Sequence, residues 1–482
     1  MLFNTTTFLL FFAVVYSLYL GGSRYKVLQN VLLLAASYVF YGYWNWRFLL
    51  LIAVSTLVDY SIGLLLGRTP GDTPQGQFRR KLLLFTSVAV NLSILGFFKY
   101  FNFFADSLAD ILSMIGLQPH PFTIAVILPV GISFYTFQTM SYTIDVYRGR
   151  LQPARSLLDF ALFVAFFPQL VAGPIERAVN LLPQIQTPRK IDLAQIYAGL
   201  YLVLWGYFKK MVIADNMARI ADPIFNNYTQ YTGADLLLGV LAFAFQIYGD
   251  FSGYTDIARG VARLLGFELM LNFRLPYFAL SPADFWRRWH VSLSSWLRDY
   301  LYIPLGGNRG GSLQTYRNLM ITMLLGGLWH GAAWNFVVWG AYHGLILVLY
   351  RIFAERAEES PAGQPAWRLL LFAPVTLGRM GLMFALTLLG WLIFRSSSLD
   401  QIGYMLSNLS VLATPGSLEL ATQVAFYAAP LLVVQVFQHY TRDLLVVTRL
   451  PALLRITFYL FLLLSIMIFG VRESTEFIYF QF

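Results

Sequence analysis

Two histidines occur in surroundings that suit acid–base chemistry. His330 stands in Leu325-Gly-Gly-Leu-Trp-His-Gly331, and His290 follows two arginines and a tryptophan in Phe285-Trp-Arg-Arg-Trp-His290. An imidazole ring titrates near neutral pH, so it can take a proton from a reacting hydroxyl group. The two rings are therefore the first candidates for a catalytic role.

His330 lies within residues 318–350, which contain no Lys, Arg, Asp or Glu. Thirteen residues of helix beyond Arg317 would carry it roughly 20 Å into the membrane. Because ionisable groups at that depth are rare and costly, its position indicates a functional residue with a neutral ring. The alternative is a histidine that only hydrogen-bonds to a neighbouring helix. For His290 the alternative is a ring that faces lipid headgroups, and both alternatives stay open at this point.

Other reactive groups are few. The chain contains no cysteine, which excludes disulfides, thiolate metal sites and a cysteine-bound thioester. It has no phosphate-binding loop, nucleotide fingerprint, zinc-ligand spacing or nucleophile elbow, so no metal is expected.

We expect Asp250 and Asp256 to cap their helix or to pair with Arg259 and Arg263. The alternative is that these carboxylates orient a histidine or bind a proton. Lys209 and Lys210 are expected to extend toward the membrane surface. The alternative is that they line a cavity for a phosphate-bearing donor.

The composition places these groups in a membrane protein. Of the 482 residues, 58% are apolar and only 12% are charged, about half the charged fraction of an average soluble domain. The net charge is +10, but the basic residues stand at the ends of apolar blocks, as in cytoplasmic loops. This placement argues against a nucleic-acid partner. We expect the apolar stretch Phe8–Leu20 to be a membrane helix rather than a cleaved signal peptide.

Apolar runs of about 20 residues are long enough to cross the hydrocarbon core. The sequence predicts an all-α, polytopic membrane protein with about 10–12 transmembrane helices and additional re-entrant and interfacial segments. The clear spans are 3–20, 27–45, 48–66, 82–98, 121–143, 193–213, 236–254, 369–396, 420–437 and 455–471. The stretch 157–175 is predicted to dip into the membrane and return, and 318–350 to form a short broken hairpin, with Gly326-Gly327 and Gly331 available at the break.

The distribution of charge predicts the topology. Arg24 and Lys26 follow the first span, and further basic residues over 79–81 follow the third, whereas 100–120 carries acidic residues without a base. Because basic residues concentrate in cytoplasmic loops, the N-terminus is predicted to be periplasmic.

The segment between Arg263 and Arg317 contains a predicted amphipathic helix. Ser281 suits the N-cap, Pro282 the first helical position and Asp284 the first turn. Apolar residues then recur mostly at spacings of three and four, with cationic and polar residues between them. This pattern predicts a helix that lies in the headgroup zone with its cationic side in water.

Several of these motifs resemble the membrane-bound O-acyltransferase (MBOAT) family. The core of the resemblance is 285–307, which contains His290, together with 326–331, which contains His330. Supporting matches are 129–138, 142–148, 167–174, 246–254 and Phe477–Phe482. The resemblance is closest to the branch that O-acetylates bacterial exopolysaccharides such as alginate. It implies an MBOAT-like fold with a tunnel, divided into N-terminal helices over 1–120, a catalytic core over 121–351 and C-terminal helices over 352–482.

The resemblance also implies an enzyme of the cell inner membrane, an O-acetyltransferase. His330 matches the family's histidine and is expected to act as general base, and His290 matches its polar partner. The expected donor is a cytoplasmic acyl thioester, acetyl-CoA, with no bound cofactor. The acceptor is the polysaccharide or a hydroxyl group on a periplasmic acetyltransferase partner. Substrate contacts are expected from Arg287, Arg288, Trp289, Trp296, Arg298 and Asn335.

Three alternatives remain at this point. Within the acyltransferase class, the chain would D-alanylate teichoic acid or acylate a lipid. In a different class, it would be a transporter or flippase, which also has many spans and broken helices. A transporter is expected to show discontinuous helices in repeat-related halves, and the sequence contains no convincing internal repeat.

Overall fold

The computed structural model describes residues 1–117, 124, 127–171, 173–353, 373–471 and 477–478. These residues form helices and turns, with no β-strand among them, so the predicted all-α fold is confirmed. The α-helices in chain order are α1 (Thr6–Gly21), α2 (Lys26–Asn45), α3 (Leu49–Arg68), α4 (Pro74–Leu95), α5 (Phe101–Met114), α6 (Ile132–Tyr147), α7 (Leu157–Ala165), α8 (Phe167–Leu170), α9 (Ala178–Gln186), α10 (Leu193–Tyr207), α11 (Asp215–Asn226), α12 (Ala234–Leu264), α13 (Pro282–Arg288), α14 (Val291–Leu297), α15 (Ser312–His330), α16 (Trp334–Phe353), α17 (Ala373–Arg395), α18 (Leu399–Asn408), α19 (Ser417–Thr441) and α20 (Ala452–Phe469).

The membrane character of the chain is clear from the length and apolarity of these helices. Within the described ranges, eight helical stretches are long and apolar enough to cross a membrane. They are Lys26–Arg68, Pro74–Met114, Leu193–Asn226, Ala234–Leu264, Trp334–Phe353, Pro374–Arg395, Ser417–Thr441 and Ala452–Phe469. The first contains two helices, α2 and α3, of 20 residues each. The protein is therefore a multi-pass membrane protein.

Eight membrane-length stretches among the described residues are fewer than the predicted 10–12 spans of the whole chain, for identifiable reasons. Helices α1 and α6 have only 16 residues each, which is short for the hydrocarbon core. Part of the predicted span 121–143 lies outside the described residues. The apolar stretch 157–175 is interrupted at Phe166, between α7 and α8, close to the predicted break.

The helices pack as two compact units. One unit contains Met1–Val203 and Tyr254–Met270, and the other contains Leu204–Gly253 and Leu271–Phe482. In the first unit α3, α4 and α6 pack against one another. The second unit contains both candidate histidines. The division into 1–120, 121–351 and 352–482 stays a prediction.

A tight helical hairpin, formed by α15 and α16, carries His330. The turn falls at Gly331–Ala333, whereas Gly326 and Gly327 lie inside α15, so the hairpin breaks at the last of the glycines considered for that role. A Cβ atom on Gly327 would overlap the carbonyl oxygen of Phe336. The small residues thus let the two backbones approach closely, as in other packed membrane helices.

The predicted amphipathic helix is interrupted in the structure. Its start is confirmed, because Ser281 Oγ accepts a hydrogen bond from Asp284 N at 3.2 Å and Pro282 occupies the first turn. Helix α13 nevertheless ends at Arg288, and α14 begins at Val291. The backbone N–H of Val291 donates to Asn272 O at 2.9 Å, a contact that competes with a continuous helix.

The expectation that Lys209 and Lys210 extend to the membrane surface is wrong. Both lie in a π-helical segment, Phe208–Ala214, between α10 and α11, and are 3% and 1% exposed. Lys210 Nζ pairs with Asp215 at 2.9 Å and with Asp250 at 2.8 Å. Asp250 therefore pairs with a lysine of the π-helical segment rather than with the arginines expected. Asp256 pairs with Arg259 at 3.3 Å, as predicted.

Candidate active site

His330 is the last residue of α15, and helix packing encloses its ring. The residue is 4% exposed. Its ring contacts Trp339 of α16 at 5.0 Å between centroids and Phe394 of α17 at 5.4 Å, both edge-on. The hairpin turn at Gly331 folds α16 back so that Trp339 faces His330. Two helices, α15 and α16, and the tight turn between them therefore fix the position of the His330 ring.

His290 is held between α13 and α14 in a backbone conformation that is uncommon for a residue with a side chain. Its φ angle is 42°, in the left-handed region, where non-glycine residues carry strain that often marks a functional site. Asn272 supports the segment, since its Oδ1 accepts from Ser292 Oγ at 2.6 Å. The His290 ring packs edge-on against Phe251 of α12 at 4.7 Å. Because the helix is interrupted at this point, the His290 side chain lies in the protein interior.

The two histidines come together although 40 positions (330 − 290) separate them in the sequence. Their ring centroids are 6.3 Å apart. Trp329 contacts both rings, at 5.7 Å from His290 and 5.1 Å from His330. Complete burial lowers the pKa of His290 to about 3, because a charged ring would lose its hydration. At neutral pH His290 is therefore an uncharged ring with one N–H donor.

A cavity of about 380 Å³ reaches His330. His330, Gly326 and Thr322 line it from α15, and Trp339 lines it from α16. Most of the remaining lining comes from α13, α14 and the residues after them. His290 is not among the lining residues. Of the two imidazoles, His330 is therefore the one that borders this cavity.

Three exposed arginines line the same cavity, namely Arg274, Arg287 and Arg298. Arg298 forms an ion pair with Asp299 at 2.7 Å, and this hydrogen bond raises the pKa of Arg298. Guanidinium groups bind phosphate oxygens through paired hydrogen bonds. The cavity thus joins a cationic, solvent-exposed part to a buried imidazole.

The remaining residues predicted to contact substrate lie elsewhere in the same unit. Arg288 forms an ion pair with Asp284 at 2.8 Å. Trp289 and Trp296 are buried, at 1% and 5% exposure. Asn335 donates to the carbonyl oxygen of Phe394 at 3.1 Å. None of these four lines the cavity, whereas Arg287 and Arg298 do.

Among the cavity residues that sequence reasoning missed are an arginine and two tryptophans. Arg274 lies in the irregular segment before α13, where no periodic pattern draws attention to it. Trp286 and Trp339 are tryptophans in apolar surroundings, and their indole rings lie edge-on at 5.7 Å. The available signal was the density of tryptophan around both histidines. For the described part of the chain, no group of three or more His, Cys, Asp or Glu is arranged to hold a metal ion.

The arrangement suits transfer of a group from an anionic, elongated donor. The arginines suit a phosphate-bearing end, the mainly apolar cavity suits an uncharged arm, and His330 suits a proton transfer at the inner end. The neutral His290 ring lies 6.3 Å from the His330 ring. It suits a role in orienting His330 or in donating a hydrogen bond.

Comparison with known proteins gives the chain's relatives. The family model "MBOAT, membrane-bound O-acyltransferase family" matches residues 39–392. The chain is 47% identical to a probable alginate O-acetylase AlgI of Azotobacter vinelandii over 404 residues, which cover 83% of this chain and 76% of the relative. It is 46% identical to the Pseudomonas aeruginosa protein of the same name over 402 residues, covering 83% and 73%. It is 36% identical to a peptidoglycan O-acetyltransferase of Helicobacter pylori over 434 residues, covering 83% and 78%.

Proposed function

The chain belongs to the membrane-bound O-acyltransferase family and is an O-acyltransferase, and on that premise we propose that it moves acetyl groups across the cell inner membrane. The donor is a cytoplasmic thioester, acetyl-CoA, and the final product is an O-acetylated extracellular polysaccharide such as alginate. The observation that carries the proposal is the cavity that joins three arginines to His330.

The donor fits the cavity by charge and by shape. The phosphates of coenzyme A bind Arg274, Arg287 and Arg298, and the uncharged pantetheine arm follows the apolar lining. The thioester carbonyl then lies near His330, at the buried end. No resident cofactor and no metal takes part.

The reaction is a single acyl transfer with a balanced proton. His330 removes the proton from the acceptor hydroxyl, whose oxygen attacks the thioester carbonyl carbon. The carbon–sulfur bond breaks as the new ester forms, and the imidazolium returns its proton to the thiolate. General-base help of this kind contributes about 10²–10⁴-fold. His290, neutral at this pH, acts as a positioning residue behind His330.

The acceptor hydroxyl arrives from the periplasmic side. It belongs either to the sugar or to a periplasmic acetyltransferase partner that completes the transfer. The identity of 46–47% to proteins named alginate O-acetylase favours alginate as the polymer over peptidoglycan, for which the identity is 36%. The proposed topology has the N-terminus in the periplasm, as the distribution of basic residues predicts.

The decisive experiment replaces His330 in the full-length protein. His330→Ala is expected to reach the membrane in normal amount and to lower acetylation of the polymer and release of CoA from acetyl-CoA by at least about 100-fold. His439→Ala is the matched control, because His439 is exposed at the end of α19, and its activity is expected to stay unchanged. Full acetylation by His330→Ala would contradict the mechanism.

The same assay separates the remaining alternatives. Movement of an intact acylated substrate across the membrane, with no release of CoA from acetyl-CoA, would identify a carrier. Labelled D-alanyl or long-chain acyl donors test teichoic-acid and lipid acylation. The 29% identity to a Bacillus subtilis teichoic acid D-alanyltransferase covers only 49% of this chain, so we expect acetyl-CoA to be the preferred donor.

A further inference from the structure

Asp59 is a carboxylate midway along α3 (Leu49–Arg68). It is 0% exposed, and α3 belongs to a stretch that is apolar and long enough to cross a membrane. An ionisable side chain at such a depth is costly, and it marks a functional site unless a charged partner explains it.

The groups that surround this carboxylate are uncharged. Ser87 Oγ of α4 donates to Asp59 Oδ1 at 2.6 Å, and Asn91 Nδ2 of α4 donates to Oδ2 at 2.8 Å. The hydroxyl groups of Thr139 and Thr143 on α6 also lie at the carboxylate. Among the ion pairs of the described residues, none includes Asp59. No cationic side chain therefore neutralises it.

The oxygen atoms continue beyond the carboxylate as one connected group. Ser87 Oγ lies 3.1 Å from Thr143 Oγ1. Asn91 Oδ1 lies 2.8 Å from Ser55 Oγ and 3.2 Å from Thr139 Oγ1. We call this group, each member of which is at most 1% exposed, the oxygen cluster: Ser55, Asp59, Ser87, Asn91, Thr139 and Thr143.

A seventh buried polar residue shares the face of α3 that bears Asp59. Thr56 precedes Asp59 by three residues on α3, a spacing that places the two side chains on the same face. Thr56 is 3% exposed, and its hydroxyl group has no hydrogen-bond partner among the described residues. A buried hydroxyl without a partner is uncommon, and here it adds a further oxygen on the helix face that bears the carboxylate.

We propose that the oxygen cluster is a sodium site. Its possible ligand atoms are the carboxylate, the four hydroxyl groups and the amide oxygen Asn91 Oδ1, which are the hard donors that alkali and alkaline-earth cations prefer. Coupling ions in other membrane proteins also lie near the middle of the bilayer, between helices.

The charge of the site selects a monovalent ion over a divalent one. One carboxylate balances a single positive charge, whereas Ca²⁺ sites use several carboxylates. Because the ligands come from three helices, a bound Na⁺ ties α3 to α4 and α6. The expected consequence is stabilisation of the folded protein by Na⁺.

The test measures thermal unfolding of the full-length protein in detergent micelles at pH 8. Replacing choline chloride by NaCl at constant ionic strength is expected to raise the Tm of the wild-type protein by about 3 °C or more. KCl is expected to raise it less, because K⁺ is larger. In Asp59→Asn the Na⁺-dependent rise is expected to disappear. Thr139→Val, which removes one ligand oxygen and keeps the carboxylate, is expected to increase the half-saturating NaCl concentration about tenfold.

Asp159→Asn is the matched control. Asp159 is also a buried carboxylate of the same unit, but its hydrogen-bond partner is Asn30 Nδ2, at 2.8 Å, outside the oxygen cluster. The Na⁺-dependent rise in the Tm of Asp159→Asn is expected to match that of the wild type. Equal Tm values in NaCl and choline chloride, or a rise that survives in Asp59→Asn, would overturn the proposal. A Tm that does not respond to Na⁺, together with a pH dependence of the Tm that is weaker in Asp59→Asn than in the wild type, would identify Asp59 as a proton site instead and would equally overturn the proposal.

Discussion

The hairpin that carries His330 and the interrupted helix that carries His290 place their imidazoles in opposite ways. The hairpin is built from two regular helices and small residues, and it leaves His330 beside a cavity. The interrupted helix holds His290 at a left-handed φ of 42° and buries it completely. One ring is placed to meet substrate, and the other is placed to support it. The difference indicates that similar residue types 6.3 Å apart carry unequal parts of the chemistry.

The largest expected effect tests this inequality directly. His330→Gln removes the base and is expected to lower kcat by about 10²–10⁴-fold. His290→Gln keeps a neutral N–H donor and is expected to lower kcat by no more than about tenfold, since His290 is uncharged at neutral pH. Steady-state release of CoA measures both. Equal losses in the two variants would show that His290 also moves a proton.

The sequence predicted the parts of this site that depend on neighbours in the chain. The start of α13 follows from Ser281, Pro282 and Asp284, which act within one helical turn. The interruption before Val291 was not predictable from local sequence. It depends on a backbone hydrogen bond to Asn272, 19 positions earlier (291 − 272). The buried pairing of Lys210 with Asp250 was missed for the same reason: the two residues are 40 positions apart (250 − 210).

The second prediction concerns the hairpin that holds His330. Gly327→Ala places a Cβ atom against the backbone of Phe336 and Gly340, where neither can yield easily. We expect the free energy of unfolding to fall by about 1–3 kcal/mol and activity to fall with the displacement of His330. Thermal unfolding in detergent measures the first effect, and CoA release measures the second.

Gly378→Ala in α17 is the control for this substitution. No heavy atom lies within 4 Å of a Cβ at that position, so alanine is expected to stabilise the helix slightly, by about 0.5–1 kcal/mol. If both substitutions changed stability equally, close packing of α15 on α16 would not be what holds His330.

Asp59 is a signal that is present in the sequence although neither apolar periodicity nor a motif indicates it. A single aspartate within the predicted span 48–66 is detectable by inspection, and such a residue is by default a functional hypothesis. Its ligands were not predictable, because Ser87 and Thr143 belong to other helices and neither stands in a recognised motif. The same limit applies to Arg274, whose place at the cavity depends on tertiary packing.

The third prediction tests the cationic part of the cavity. Replacing Arg274, Arg287 or Arg298 by alanine is expected to raise KM for acetyl-CoA about three- to tenfold, with little change in kcat, because exposed ion pairs with phosphate are modest and screened by salt. KM for S-acetyl-N-acetylcysteamine, a thioester without phosphates, is expected to stay unchanged. Arg219→Ala, at an exposed arginine that does not line this cavity, serves as control. Equal increases in KM for both thioesters would show that the arginines do not bind the phosphates of the donor.

The smallest expected effect concerns pH and the burial of His290. Its pKa is about 3 in the folded protein and about 6.5 in the unfolded chain, so between these values the unfolded state binds the additional proton. This contribution to stability is fully present above pH 6.5 and is lost as the pH falls toward 3, by about 1.4 kcal/mol per pH unit. Between pH 7.5 and 5.5 the Tm of the wild type is therefore expected to fall by about 1–2 °C more than that of His290→Gln. Parallel Tm profiles would mean that the ring is hydrated in solution and not buried behind His330.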